Sequence, residues 1–171
     1  MMESEVLDVK KLVIIHGPPG IGKTTVCKSL YMNVDRSVWL DADWGWMMNP
    51  FVVTDENKQM VVDNIIHLLR NFLNNSSFDY VIFCWVIHKE FIFDIILKGL
   101  SDLNFELQKI TLTCSSESLR NRMEDDNRTK HQINSSIESM KDYCEFDTLK
   151  IDTTKKKIKD IVSEIEKIVV R

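Results

Sequence analysis

Gly17-Pro18-Pro19-Gly20-Ile21-Gly22-Lys23-Thr24-Thr25 decides how this chain is read. The stretch fits G-x-x-x-x-G-K-[ST], the pattern of a loop that wraps phosphate groups. Its setting agrees with that reading. The apolar run Leu12-Val13-Ile14-Ile15-His16 precedes it, and Val26 and Leu30 follow on one face of a helical segment. Strand, glycine loop, helix is the context the pattern requires. Glycines let backbone N–H groups close around phosphate oxygens, and the helix N-terminus adds partial positive charge. On this reading Gly17, Pro18, Gly20, Ile21, Gly22 and Thr25 form the cradle. Lys23 supplies a full charge to the β- and γ-phosphates, and Thr24 offers its hydroxyl to Mg2+.

Working outward, apolar runs at 11–16, 37–41, 79–85, 106–114 and 148–151 read as strands. Continuous runs of this length suit strands buried on both faces of a parallel sheet. Helical spacing fills the gaps. Segment 55–74 carries Val61, Ile65, Leu68, Leu69 and Phe72, with Thr54 as its N-cap. Further helices are expected at 91–100, from Ser115 to Leu119 onward, at 133–143, and from Thr154, where Ile158, Ile161, Val162, Ile165, Ile168 and Val169 make one stripe. Strands alternating with helices indicate a three-layer α/β fold, and 171 residues suit one domain. The polar stretch 124–132 lacks apolar periodicity and is expected to be a mobile segment.

Composition limits the partners. Net charge is −4, which disfavours a nucleic-acid partner. The four cysteines, Cys27, Cys84, Cys114 and Cys144, form no C-x-x-C and read as buried thiols in a reducing compartment. The longest apolar run is too short to span a bilayer. The acidic stretch Met1-Met2-Glu3-Ser4-Glu5 has no signal-type apolar region, so a cytoplasmic location is expected.

The glycine loop alone does not separate kinases, GTPases and motor ATPases. A motor ATPase would end an apolar strand in Asp or Glu, whereas the third strand ends Cys84-Trp85-Val86-Ile87-His88. A GTPase would carry Asn-Lys-x-Asp, and Asn57-Lys58-Gln59-Met60 lacks the acid. The second strand, however, runs into Asp41-Ala42-Asp43. Ends of parallel strands line the ligand crevice, and a spacing of two puts both carboxylates on one side of an extended segment. One can organise Mg2+; the other can take the proton of an attacking hydroxyl.

With these parts in this order, the chain resembles the small P-loop kinases typified by shikimate, gluconate and adenylylsulfate kinases and antibiotic phosphotransferases. The resemblance implies a five-stranded parallel sheet ordered 2-3-1-4-5. It implies Asp41 as the acid on the Mg2+ side, beside Thr24, and Asp43 as the base. It also implies an Arg-rich lid at about 120–132, in which Arg122 and Arg128 close over the transferring phosphoryl group. Finally it implies an adenine-side turn at Asp152-Thr153-Thr154. The function expected is transfer of the γ-phosphate of ATP to a small hydroxyl- or phosphate-bearing acceptor. A regulatory ATPase without an acceptor and a kinase of polynucleotide ends stand as alternatives.

The acceptor side departs from the group. Asp43-Trp44-Gly45-Trp46-Met47-Met48-Asn49-Pro50-Phe51 holds no cation, which argues against an acidic acceptor such as shikimate. Trp44 and Trp46 read either as an apolar wall for a flat or hydrophobic molecule or as core packing. Trp85 and His88 should lie on the same crevice edge. A nucleoside, a nucleotide or a ring-containing antibiotic would suit such walls.

Overall fold

The computed structural model describes residues 9–170; the acidic stretch 1–5 lies outside them. Five parallel strands form one sheet in the order β2-β3-β1-β4-β5. They are β1 (Lys11–His16), β2 (Ser37–Asp41), β3 (Tyr80–Trp85), β4 (Glu106–Thr113) and β5 (Leu149–Asp152). The intervening helices are α1 (Lys23–Asn33), α2 (Asp55–Asn74), α3 (Glu90–Lys98), α4 (Ser116–Asp125), α5 (Lys130–Cys144) and α6 (Ile158–Val169). The strand order matches the expectation, and β1 sits at the centre between β3 and β4.

Side chains of β1 alternate between two cores because a strand has a period of two. Val13 and Ile15 enter the core with Val26, Leu30, Leu119, Ile161 and Ile165, from α1, α4 and α6. Leu12 and Ile14 enter the opposite core with Val61, Ile65, Phe83, Phe93 and Ile96, from α2, α3 and β3. Burial on both faces explains the unbroken apolar run. Parallel register brings the strand ends level: Ile15 and Asp41 both pair with Cys84, and His16 pairs with Trp85. The glycine loop, Asp41 and Trp85 therefore share one edge of the sheet.

Several local expectations need correction. Asp43 does not continue an extended segment, because Ala42–Trp46 is a 3-10 turn. Asp41 causes this: its Oδ1 accepts from the Asp43 N–H at 3.0 Å, and such short side-chain bonds compete with strand pairing. The polar stretch 124–132 holds the end of α4 and the start of α5 around a four-residue turn. α4 ends through a turn in which Asn127 has φ 56, and the Arg128 N–H reaches the Met123 carbonyl. A capping box of Thr129 and Gln132 then starts α5. The last helix begins at Ile158 rather than Thr154, because Lys155 takes φ 54 and Lys157 is the N-cap. Of the four thiols, Cys27 and Cys84 are buried, Cys114 is partly so, and Cys144 is exposed. Among the described residues no helix is long and apolar enough to cross a membrane.

His16, at the end of β1, is fully buried. Its Nδ1 lies 3.1 Å from the Ile87 carbonyl and its Nε2 lies 2.6 Å from Thr111 Oγ1. The pair of contacts fits a neutral ring that donates from Nδ1 and accepts at Nε2. Phe93 and Phe146 meet it edge-on at 4.9 Å. Burial lowers its pKa to about 4. A histidine depressed in the folded state contributes stability that is complete above its unfolded value and lost as pH falls through the folded one. The shift corresponds to about 3 kcal/mol between pH 7 and pH 4. Urea melts are therefore expected to show stability falling between pH 6.5 and 4, and His16→Gln should flatten that slope.

Candidate active site

The glycine loop is built from backbone conformations that side chains resist. Gly17 has φ 153, and a Cβ there would lie 2.9 Å from the Leu112 carbonyl oxygen of β4. Gly22, with φ 101, turns the chain into α1. The first N–H groups of α1 then face the loop interior, as an anion cradle requires. Lys23 is buried, and its Nζ donates to the carbonyls of Gly17 and Pro18, both at 3.0 Å. Burial lowers its pKa, while nearby acidic groups, Asp43 and Asp41 among them, act to raise it.

Thr24 and Asp41 meet at the loop mouth. Thr24 Oγ1 donates to Asp41 Oδ2 at 2.8 Å. Two hard oxygen donors converge there, beside the phosphate cradle. Mg2+ sites usually take one or two protein ligands and complete their shell with waters and phosphates, so this pair fits such an ion. Asp43 keeps solvent access at the same mouth, yet the surrounding protein raises its pKa by desolvation. The Asp41 charge adds to that rise, and Lys23 opposes it. Asp43 thus feels both Asp41 and Lys23, which brings the two carboxylates and the cradle lysine into one electrostatic unit.

Arg122 stands elsewhere than expected. Its guanidinium donates to the Ile21 carbonyl at 3.1 Å, to Thr153 Oγ1 at 2.9 Å and to the Thr153 carbonyl at 2.6 Å. It ties the back of the glycine loop to the turn after β5, and these contacts hold it away from the acceptor mouth. Thr153 in turn bonds the Thr113 carbonyl, Asp152 Oδ1 accepts from the Thr154 N–H, and Thr154 Oγ1 accepts from the Ser115 N–H. A cavity of about 310 Å3 lies alongside, lined by Gly22, Thr25, Arg122, Lys156 and Ile158. Arg122→Ala would remove the donor to the Ile21 carbonyl, while the Thr153 carbonyl keeps the Lys156 N–H, and is expected to lower stability by about 1 to 2 kcal/mol, read as a drop in Tm. Arg128 is exposed, and among the described residues its side chain makes no hydrogen bond.

The acceptor side divides into two spaces. One, of about 530 Å3, lies between Pro19, His88, Arg128 and a polar stripe of α5. That stripe is Gln132, Ser135, Ser136 and Ser139, at helical spacing. It explains why α5 carries so weak an apolar pattern. Ser136 also donates to the Pro19 carbonyl at 2.6 Å, which fixes α5 against the loop. The other space is an apolar groove of about 450 Å3 between α2 and α3, and it includes Trp46, Trp85 and His88. Trp44 does not join them. It turns to the sheet edge and meets Trp39 at 5.0 Å. Sequence reasoning missed the α3 wall of this groove. The signal was present: Phe91, Ile92, Phe93, Ile95 and Ile96 make that helix apolar around most of its circumference, with Glu90, Asp94 and Lys98 confined to one strip, and that is more than one core face needs.

A family model described as an AAA domain matches residues 13–142, and the chain belongs to that family. No curated protein matches it at a significant level. Among solved structures, the tunicamycin resistance protein of Deinococcus radiodurans superposes with a TM-score of 0.75 at 18% identity, covering 94% of this chain and 96% of that one. The APS kinase of Mycobacterium tuberculosis, solved with AMPPNP and APS, gives 0.70 at 13% identity, over 95% and 99%. A gluconokinase from Sinorhizobium meliloti 1021 gives 0.63 at 16%, over 92% and 89%. The fold is that of the small P-loop kinases.

Proposed function

We propose that the protein is an ATP-dependent phosphotransferase acting on a small hydroxyl- or phosphate-bearing acceptor. The observation that carries this reading is the link from the cradle to Asp43: Asp41 accepts from the Thr24 hydroxyl through Oδ2 and from the Asp43 N–H through Oδ1. A protein that only sensed nucleotide would have no need of a carboxylate base placed beside the cradle. The kinase fold supports the reading.

In this mechanism the loop backbone and Lys23 hold the triphosphate, with Lys23 exchanging its bonds to Gly17 and Pro18 for phosphate oxygens. Thr24 and Asp41 would hold Mg2+, which would offset charge on the phosphate oxygens. Asp43 orients the acceptor hydroxyl and takes its proton as the acceptor oxygen bonds to the γ-phosphorus. The bond from that phosphorus to the β–γ bridging oxygen breaks, and ADP leaves with the electron pair. Arg128, exposed on the α4–α5 turn, supplies positive charge over the transferring group. The turn Asp152-Thr153-Thr154, with Arg122, borders the nucleoside side. Closure over the acceptor excludes water and limits idle hydrolysis.

The test is a screen with Mg-ATP against nucleosides, nucleotides, sugars and ring-containing antibiotics, scored by ADP release. Release that requires an acceptor supports the reading. Release at one rate with every compound, and without any, favours an acceptor-free ATPase, the reading toward which the AAA-domain description leans.

A further inference from the structure

We infer that the acceptor is an amphiphile, with a hydroxyl-bearing head in the serine-lined cavity and an aliphatic arm along the groove of Trp46, Trp85 and α3. The inference rests on the phosphotransferase reading and deepens it. Three observations carry it.

The first is adjacency. His88 borders both spaces, so the serine-lined cavity and the apolar groove meet at one side chain. Asp43 and Trp46 stand three residues apart in the 3-10 turn, where side chains at that spacing eclipse. The candidate base and the groove wall therefore lie on one face of one short element. Gly45 holds that element against α2: a Cβ there would lie 3.1 Å from Val61.

The second is contrast in chemistry. The cavity beside Pro19 offers Arg128, His131, Gln132, Asp142 and three serines, donors and acceptors set among Val86, Met123 and Tyr143 and suited to a ring with several hydroxyls. The groove offers Trp46, Val62, Trp85, Phe91, Ile92 and Ile95, with charged groups only at its rim. A wholly polar acceptor would leave this wall facing water.

The third is exposure. Phe91 is 55% exposed and Ile95 44%, beside the exposed Phe51 and Val53 of the segment before α2. Contiguous apolar surface of this kind marks a binding site. Its concavity and volume are those of a small-molecule pocket. The groove shares His88 with the serine-lined cavity and Trp46 with the turn that carries Asp43, which favours an arm of the acceptor over a second copy of the chain as the occupant.

The test uses methyl, butyl, hexyl and octyl β-glucosides as probes, below their micelle thresholds, with the whole protein and Mg-AMPPNP. Binding is followed by calorimetry. Affinity is expected to rise about two- to fourfold per added methylene until the groove is filled, as burial of methylene groups dictates. Phe91→Glu and Ile95→Glu alter exposed positions, and circular dichroism checks that both variants fold. Each should abolish the dependence on chain length. Binding that is flat from methyl to octyl overturns the inference, as does a chain-length gradient that survives both substitutions. A dimer in sedimentation that Phe91→Glu disperses also overturns it, by assigning the groove to self-association. Graded binding lost in both variants supports the inference. If graded binding holds while no acceptor of any kind is phosphorylated, the phosphotransferase reading fails on its own. Turnover of short polar acceptors with flat binding defeats only the amphiphile.

Discussion

Asp43→Asn is expected to lower acceptor-dependent turnover by about two to four orders of magnitude, the usual contribution of a positioned general base. Affinity for Mg-ATP should stay within about twofold, because Lys23, Thr24 and Asp41 are untouched. The amide keeps the shape of the side chain but cannot take a proton. The pH profile supplies a second, independent sign. Burial and the Asp41 charge raise the Asp43 pKa above its ordinary carboxylate value. The working form is the ionised one, so kcat/KM falls as pH drops through that raised value, and the acid limb lies above the ordinary value of an aspartate. In the Asn variant that limb should vanish from the residual activity. Stability runs the other way. A carboxyl raised in the folded state binds protons that the unfolded chain has released, so the ionised form detracts from stability at neutral pH. Asp43→Asn should therefore hold or raise Tm while it removes activity, a combination that a merely structural residue does not give.

Lys23→Met should cost about three orders of magnitude in turnover and weaken ATP binding at least tenfold. The lysine is buried among carbonyls, and desolvation lowers its pKa. In the free protein it is a buried cation held by two neutral acceptors, an arrangement that adds little stability. Its worth comes when phosphate oxygens replace those carbonyls. Apo Tm is thus expected to change by no more than a few degrees, while the rise in Tm that Mg-ATP produces in the native protein is lost. Thermal melts with and without Mg-ATP, beside ADP-release assays, check both halves.

The limits of the sequence lie where local signals meet distant partners. β1, β2 and α2 stood out because their cues are internal: an unbroken apolar run, a strand stopped by Asp41, and Thr54 accepting from the Asn57 N–H. The glycine loop was legible for the same reason, since its pattern encodes its own backbone conformation. Asp43 was legible as a candidate but not in its conformation, because a two-residue spacing reads as extended unless the Asp41 side chain caps the turn. The α4–α5 junction concealed a capping box whose cue, Thr129 with Gln132, sat in a run of polar residues. Arg122 could not be placed by pattern at all. Its partners, Ile21 and Thr153, come from the glycine loop and the far end of the sheet. The two tryptophans of the 3-10 turn part company for a similar reason. Trp44 finds Trp39 on β2, whereas Trp46 faces α2 and α3, and only the packed sheet distinguishes those directions.

The shared mouth of cradle and carboxylates is tested most directly by a crystal structure with Mg2+ and AMPPNP. The expected result has Lys23 on the β- and γ-phosphates, the metal beside Thr24 and Asp41, and the Asp43 carboxylate facing the γ-phosphorus across room for one hydroxyl. Asp43 turned to bulk solvent, with the γ-phosphate sealed off from the serine-lined cavity, would contradict it.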